Sequence, residues 1–174
     1  MTTNAARHEG PRTQVASFDL DHTRVRAPYV RLAGRHDGPL GDRVSKWDLR
    51  LVQPNQAEIP TAALHTIEHL LAGYLRDALD DAGFAADGGE LVDASPMGCR
   101  TGFYLTMLGE PDPETMRAAC RHALAAIAEH DGEIPGCAPE RCGNWRDHSL
   151  PGANAWARAI LEHEMIVQET IPLR

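Results

Sequence analysis

The sequence predicts one α+β domain, in which helices pack on an antiparallel sheet. Of its 174 residues, 43% are hydrophobic and 24% are charged, values typical of a globular protein that buries one core. Most neighbouring strand-like segments lack crossover helices between them, and helical segments follow. Because parallel strands need such crossovers, this order favours antiparallel pairing.

Five short segments, bounded by turn residues, have the composition of strands: 17–22, 28–33, 44–52, 91–94 and 101–108. In the third segment, alternation places Lys46, Asp48 and Arg50 on one polar face and apolar side chains on the other, as in a half-buried strand. A tight turn over 96–99 follows the fourth segment. This turn places Cys99 at a hairpin-like bend.

Three segments with helical spacing of apolar residues predict helices, and a loop over 134–148 separates the last two. Thr61 is the expected cap of the first helix, whose apolar positions continue to a stop near Gly83. Asp112 is the expected cap of the second helix. The last helix is expected over 153–168.

Composition and charge exclude several classes of protein. A formal net charge of −8 and a single lysine argue against a nucleic-acid-binding surface, and no apolar run is long enough to span a bilayer. The N-terminus lacks the apolar segment of a secretory signal, which indicates a cytoplasmic protein with reduced thiols. We expect a flexible tail over 1–14 and the folded domain over 15–174.

The strongest local signal is a His-x-x-Glu-His motif formed by His65, Glu68 and His69. On a helix, at about 100° per residue, the two histidines lie roughly 40° apart and the glutamate lies beside them. Two imidazoles one turn apart can bind one divalent cation, and the nearby carboxylate can move protons. Solvated histidines on an amphipathic helix are the alternative, but unpaired polar groups among the apolar neighbours would be costly.

Catalytic metal sites usually have three protein ligands, so a third ligand is expected from elsewhere in the chain. Cys142 is the preferred candidate, because it lies in a loop rich in glycine, proline and cysteine that can aim a thiolate at the helix. Cys137, Glu140 and His148 remain alternatives on chemistry alone. Cys120, in contrast, falls on the apolar face of the second helix and is expected to be a core residue.

Cys99 is a candidate acid/base residue. It lies between Gly98 and Arg100, where a neighbouring cation and a nearby metal would both favour the thiolate. A cysteine that merely packs inside the hairpin is the alternative for this position.

Two other functions fit the local motif. His-x-x-Glu-His is also the signature of inverted zincin metallopeptidases, for which Glu140 would be a suitable third ligand. The other alternative is a non-catalytic module, in which zinc only closes the Cys142 loop onto the helix. The short chain and the bend over 96–99 argue against the peptidase, and Glu68 and Cys99 argue against the structural site.

Beyond the single motif, the chain resembles the S-ribosylhomocysteine lyase family from residue 17 to about residue 161. Several matching motifs are long, and they follow one another in the order of the family. The segments that carry the resemblance are 17–22, 27–31, 46–50, 53–55, 65–71, 95–104 and 142–145. The tail is longer than is usual in the family, and Cys137 is an additional thiol near the metal loop.

The resemblance implies a ligand set and two acid/base residues. His65, His69 and Cys142 would hold one Fe²⁺ per subunit, with Zn²⁺ or Co²⁺ as substitutes, and Glu68 and Cys99 would transfer protons. It further implies a homodimer with active sites at the subunit interface. Several other residues would then bind the small-molecule substrate. Ser17, His22 and Arg50 would come from the partner chain, and Arg76 and Asp93 would contact the homocysteine part of the substrate.

The implied reaction cleaves the thioether of S-ribosylhomocysteine without a redox cofactor. Its products are homocysteine and 4,5-dihydroxy-2,3-pentanedione, the precursor of autoinducer-2, for signalling between cells or as a step in methionine metabolism. The sugar carbonyl must first move from C1 to C3 through ene-diolates, which a metal can stabilise as a Lewis acid. Cys99 would move protons between C2 and C1, and Glu68 would serve the later transfers and the β-elimination.

Overall fold

A five-stranded sheet forms the centre of the computed structural model, which describes residues 18–173. The strands are β1 (Tyr29–Asp37), β2 (Arg43–Arg50), β3 (Glu90–Pro96), β4 (Gly102–Leu108) and β5 (Ile166–Val167), in the spatial order β3-β4-β2-β1-β5. All pairs are antiparallel except β1 with the short β5. The predicted α+β class and antiparallel sheet are therefore confirmed, whereas β5 was not predicted. The expected tail over 1–14 lies outside the described residues.

The strand predicted over 17–22 is wrong for its described part, since Leu20 forms only an isolated bridge to Pro172. The chain turns here because the Asp21 carboxylate accepts hydrogen bonds from both the backbone N–H and the hydroxyl of Thr23. Such a local bond from an aspartate favours a turn over an extended strand.

The three helices of the described region are α1 (Thr61–Asp81), α2 (Pro113–Glu129) and α3 (Leu150–Leu161). The predicted cap of α2 is confirmed, because the Asp112 carboxylate accepts two backbone N–H groups of the first turn. The predicted cap of α1 is wrong: Pro60 precedes the helix without a side-chain bond, and Thr61 is its first residue. None of these helices is both long and apolar enough to cross a membrane.

The last helix is shifted from the predicted range of 153–168. It begins at Leu150 because the Ser149 hydroxyl accepts the backbone N–H of Gly152, and it ends at Leu161. The residues that follow leave the helix and reach β1, where Ile166 and Val167 form β5. Pairing with a distant strand thus overrides the local helical pattern.

The helices cover one face of the sheet and enclose the main core. Trp47, Leu49 and Phe103 point into this core from β2 and β4. Cys120 of α2 is fully buried there, as predicted, and burial raises the pKa of its thiol to about 12. Cys120 is therefore a structural residue rather than a reactive thiol.

The opposite face of β2 carries a buried ion cluster. Asp48 is 0% exposed and Arg50 is 1% exposed. The Asp48 carboxylate accepts bonds from Arg50 Nη2 at 3.0 Å, Arg31 Nη2 at 3.2 Å and the Tyr29 hydroxyl at 3.0 Å. The predicted polar face of this half-buried strand is therefore itself buried at two of its three positions, because its charges are paired.

Gly102, the first residue of β4, allows β4 to approach β2 closely. A Cβ atom at this position would overlap the carbonyl oxygen of Leu49. The close approach fixes the adjacent residue Thr101, whose carbonyl accepts the backbone N–H groups of Leu51 and Val52. The segment that carries Cys99 is thereby held against the end of β2.

We expect Gly102→Ala to lower the free energy of unfolding by about 1–3 kcal/mol, because the added methyl group must push β4 away from β2. Gly98→Ala is the matched control, since a Cβ there meets nothing within 4 Å. Its effect should stay within about 0.5 kcal/mol in the same urea titration. Equal stability of both variants would contradict this account.

Candidate functional site

His65 and His69 lie one turn apart on α1, and both are half-buried. His65 Nδ1 is 2.9 Å from the carbonyl oxygen of Asp147, and His69 Nδ1 is 2.6 Å from that of Pro135. A carbonyl oxygen only accepts, so each Nδ1 carries the hydrogen and each Nε2 presents a free lone pair. Histidines that bind metals are typically oriented by such bonds.

The loop between α2 and α3 brings Cys142 to these histidines. Its Sγ lies 3.3 Å from His65 Nε2. The backbone N–H of Cys142 donates to Ala138, which folds the loop back on itself. The predicted third ligand is thus placed beside the two imidazoles by its own loop.

His148 is the fourth member of this cluster, and the ligand atoms of all four residues lie within 4.8 Å of one another. The Thr66 hydroxyl donates to the carbonyl of Ala62 and accepts the backbone N–H of Ser149. It can therefore also accept His148 Nδ1–H, at 3.2 Å, which leaves the Nε2 of His148 as a lone pair. Burial, together with the charges of neighbouring histidines, lowers the pKa of His148.

Ring positions distinguish ligands from neighbours in this cluster. Two imidazoles bound to one tetrahedral ion at about 2.1 Å have ring centres about 5 Å apart. The His65 and His69 centres are 4.8 Å apart at 81°, whereas His148 stacks on His65 at 3.9 Å and 24°. His65 and His148 are too close to bind the same ion together, and His65 is the nearer to Cys142. The His148 and His69 centres are also 4.7 Å apart at 76°, so the shorter distance from Cys142 to His65 is what favours His65, His69 and Cys142 as ligands.

Two imidazole nitrogens and a thiolate suit a borderline divalent ion such as Fe²⁺, Zn²⁺ or Co²⁺. The rival ligands Cys137 and Glu140 are not among the clustered atoms of the described residues. Cys137 Sγ instead lies 3.3 Å from the carbonyl of Trp145. Glu68 is half-buried on the same turn of α1, and its carboxylate also stays outside the cluster. The donor set therefore fits a metal, with Glu68 beside it.

Cys99 lies in the turn between β3 and β4. The turn is closed by the backbone N–H of Arg100, which donates to Met97, and Arg100 adopts a left-handed conformation with φ of 58°. Cys99 Sγ is 3.0 Å from the Thr101 hydroxyl oxygen and 3.9 Å from Arg50 Nη1. Cys99 is exposed, whereas Thr101 and Arg50, whose side chains lie beside its sulfur, are buried.

His22, Arg50 and Cys99 line a shared cavity of about 660 Å³. The same three residues also line a smaller cavity at the polar face of the sheet, next to Tyr104. Within the described region, neither cavity is bounded by a residue of the metal cluster. One chain therefore contains two separate groups of predicted site residues, one around the candidate metal and one around Cys99.

The remaining predicted substrate contacts are not joined to either group. Arg76 is exposed on α1, where it donates to the carbonyl of Ala72. Asp93 is exposed on β3 and accepts the hydroxyl of Ser95. Ser17 lies outside the described residues.

The prediction from sequence missed the hydroxyl of Thr101 and treated His148 only as a rival ligand. Thr101 follows Cys99 by two residues across a bend, a spacing that brings the two side chains together only when the turn is known. His148 lies close to His65 because Thr66 binds its ring, a contact between distant parts of the chain.

Comparison with known proteins identifies the family of this chain. A family model described as S-Ribosylhomocysteinase (LuxS) matches residues 15–171. A Thermus thermophilus protein named S-ribosylhomocysteine lyase is 53% identical over 160 residues, covering 92% of this chain and 97% of that protein. A Deinococcus radiodurans protein of the same name is 54% identical over 159 residues, covering 91% and 95%.

A third relative, from Lactobacillus johnsonii, also carries the name S-ribosylhomocysteine lyase. It is 50% identical over 151 residues, which are 86% of this chain and 90% of that protein. The family match includes α1, the loop with Cys142 and the turn with Cys99. On this match and on these identities, the chain belongs to the S-ribosylhomocysteinase (LuxS) family.

Proposed function

We propose that this protein cleaves the thioether of S-ribosylhomocysteine to homocysteine and 4,5-dihydroxy-2,3-pentanedione. The observation that carries the proposal is the family match over residues 15–171, which includes the clustered His65, His69 and Cys142. The family is one of metal-dependent lyases, and this chain has a group of residues that can hold a metal. Titration of the thiol released from S-ribosylhomocysteine by the purified protein tests the activity directly.

Family membership decides against the two other functions considered from the motif. The metallopeptidase required Glu140 as a ligand, but Glu140 is exposed and outside the cluster of described ligand atoms. The non-catalytic zinc module leaves no role for the cavity that contains Cys99 and Arg50.

His65, His69 and Cys142 would hold one ion per subunit, with Fe²⁺ as the proposed native metal and Zn²⁺ or Co²⁺ as substitutes. Two imidazoles and one thiolate match the preferences of these ions. When bound, such an ion supplies Lewis-acid polarisation of a substrate oxygen. The Nδ1 bonds of the two histidines leave their Nε2 lone pairs free to bind the ion.

Cys99 and Glu68 are the proposed acid/base residues. Cys99 Sγ, as thiolate, would take the proton from C2 of the open sugar and return it to C1. The Arg50 guanidinium near this sulfur favours the charged form. Glu68, on the helix turn that carries both histidines, would serve the later proton transfers and the expulsion of homocysteine.

A homodimer would bring the two groups of residues together. The cavities around Cys99 are not bounded by the metal ligands of the same chain, which supports a site completed by a second copy. Arg50 contacts Cys99, and His22 lines the same cavity. Whichever protomer supplies His22 and Arg50 therefore also supplies Cys99, and Ser17 would come from that protomer too.

The charges of Arg76 and Asp93 suit the carboxylate and ammonium groups of the homocysteine part of the substrate, and both residues are exposed. We propose them as substrate contacts on that ground. We also propose a cytoplasmic location, because thiols such as Cys99 and Cys142 remain reduced there.

Removal of the third ligand should remove the metal. We expect Cys142→Ala to retain less than about a tenth of the metal of the wild-type protein, since two imidazoles alone bind weakly. Cys137→Ala, which removes a thiol of the same loop outside the cluster, should keep its metal. Elemental analysis of the purified proteins checks this, and a Cys142→Ala protein with full metal content would contradict the ligand assignment.

Cys99→Ala and Glu68→Gln should fold and keep their metal but lose turnover by about 10²–10⁴-fold, the usual contribution of a general acid or base. Thiol release from S-ribosylhomocysteine measures the rate, and metal analysis serves as the control for the integrity of the site. Full activity of either variant would exclude the role assigned to that residue.

A mixture of these two inactive variants tests the shared site. If Glu68 and Cys99 act across the dimer, each mixed dimer has one intact site, and random exchange restores about one quarter of wild-type activity. If both residues act within one chain, the mixture stays as inactive as its components. Co-expression with two different affinity tags isolates the mixed dimer, and its inactivity would refute the shared site.

A further inference from the structure

We infer that the Thr101 hydroxyl donates a hydrogen bond to the Cys99 sulfur and is a positioning residue that stabilises the thiolate. The inference rests on the proposed function of Cys99, because it assigns a partner to that residue. Thr101 precedes β4, is 4% exposed, and has its hydroxyl oxygen 3.0 Å from Cys99 Sγ.

The direction of the bond follows from the donors around Thr101. A guanidinium group can only donate, and Arg50 Nη1 lies 2.8 Å from the Thr101 hydroxyl oxygen. The oxygen therefore accepts from Arg50, and its own hydrogen is available for another group. Of the described residues, Cys99 is the other hydrogen-bond partner of this hydroxyl.

The protonation state of the sulfur decides how strongly it accepts this hydrogen. If Cys99 is a thiolate, the hydroxyl donates to a charged acceptor, which makes a strong hydrogen bond. If Cys99 is a thiol, its sulfur is only a weak acceptor for the same hydroxyl. The arrangement of Arg50 and Thr101 thus favours the thiolate.

Buried charges act in the same direction. Arg50 is held by Asp48 through Nε at 3.1 Å and Nη2 at 3.0 Å, and Arg31 binds the same carboxylate at 3.2 Å. Burial lowers the pKa of Arg50, but the hydrogen bond and charge of Asp48 outweigh this effect and raise it. Two guanidinium groups against one carboxylate leave a net positive charge beside Cys99.

Other charged and titratable groups also face the space around Cys99. Glu58, which lines the larger cavity, is paired with Arg100. The remaining ones are His22, in both cavities, and Tyr104, whose ring carries the Lys46 ammonium group. None of them is replaced in the variants of Thr101, so their effects cancel in the comparison below.

Thr101→Val removes the hydroxyl and keeps the shape of the side chain, whereas Thr101→Ser keeps the hydroxyl. The pH dependence of Cys99 alkylation by iodoacetamide is measured without substrate, by mass spectrometry of the peptide that contains Cys99. We expect the midpoint of the profile to rise by about one pH unit in Thr101→Val, which corresponds to a tenfold smaller ionisation constant of the thiol. Thr101→Ser should keep the wild-type profile.

Thr106→Val is the matched control, because it removes a threonine hydroxyl from β4 at a position that lines neither cavity around Cys99, and it should leave the profile unchanged. Circular dichroism verifies folding, and Thr101→Ala replaces the valine variant should the latter not fold. An unchanged profile without the hydroxyl would overturn the inference, as would an equal shift in Thr101→Ser. A shifted profile combined with full lyase activity of Cys99→Ala would uphold the hydrogen bond and refute only the catalytic role of Cys99.

Discussion

Two hydrogen bonds from histidine Nδ1 atoms to backbone carbonyls tie the loop before α3 to α1. His65 binds the carbonyl of Asp147 and His69 binds that of Pro135, so the helix and the loop fix each other. The same bonds leave both Nε2 lone pairs free, and that of His65 lies 3.3 Å from Cys142 Sγ. The candidate metal centre thus depends on backbone positions as much as on the ligands themselves.

The second group of functional residues depends on the sheet. Asp48 and Arg50 lie on the face of β2 opposite the helical core, where their mutual pairing permits burial. Arg50 extends from this cluster to Thr101 and Cys99. Strand β2 therefore holds the Arg50 guanidinium group, and the turn after β3 brings the Cys99 thiol to it. Helix α1 and the loop before α3 supply the candidate metal ligands, whereas the sheet and the turn after β3 position the Cys99 thiol.

Local sequence patterns predicted the structure correctly where it is determined by contacts between residues close together in the chain. The His-x-x-Glu-His motif lies on α1 and Asp112 caps α2, as predicted, because helical periodicity and capping act within one or two turns. The end of α3, the burial of Asp48 and the position of His148 were not predictable in this way. Each depends on a partner far away in the chain: β1 for the end of α3, Arg31 for Asp48 and Thr66 for His148.

The buried ion cluster on β1 and β2 constrains how this sequence can change during evolution. It consists of Arg31, Asp48 and Arg50. Neutralising Asp48 leaves two buried guanidinium groups without their carboxylate, and neutralising Arg50 also removes the donor to Thr101. A replacement of Asp48 would have to be matched by changes at the two arginines, and neighbouring ionic positions of this kind are strongly non-additive. Segments 27–31 and 46–50 should therefore covary as a unit among descendants of this chain.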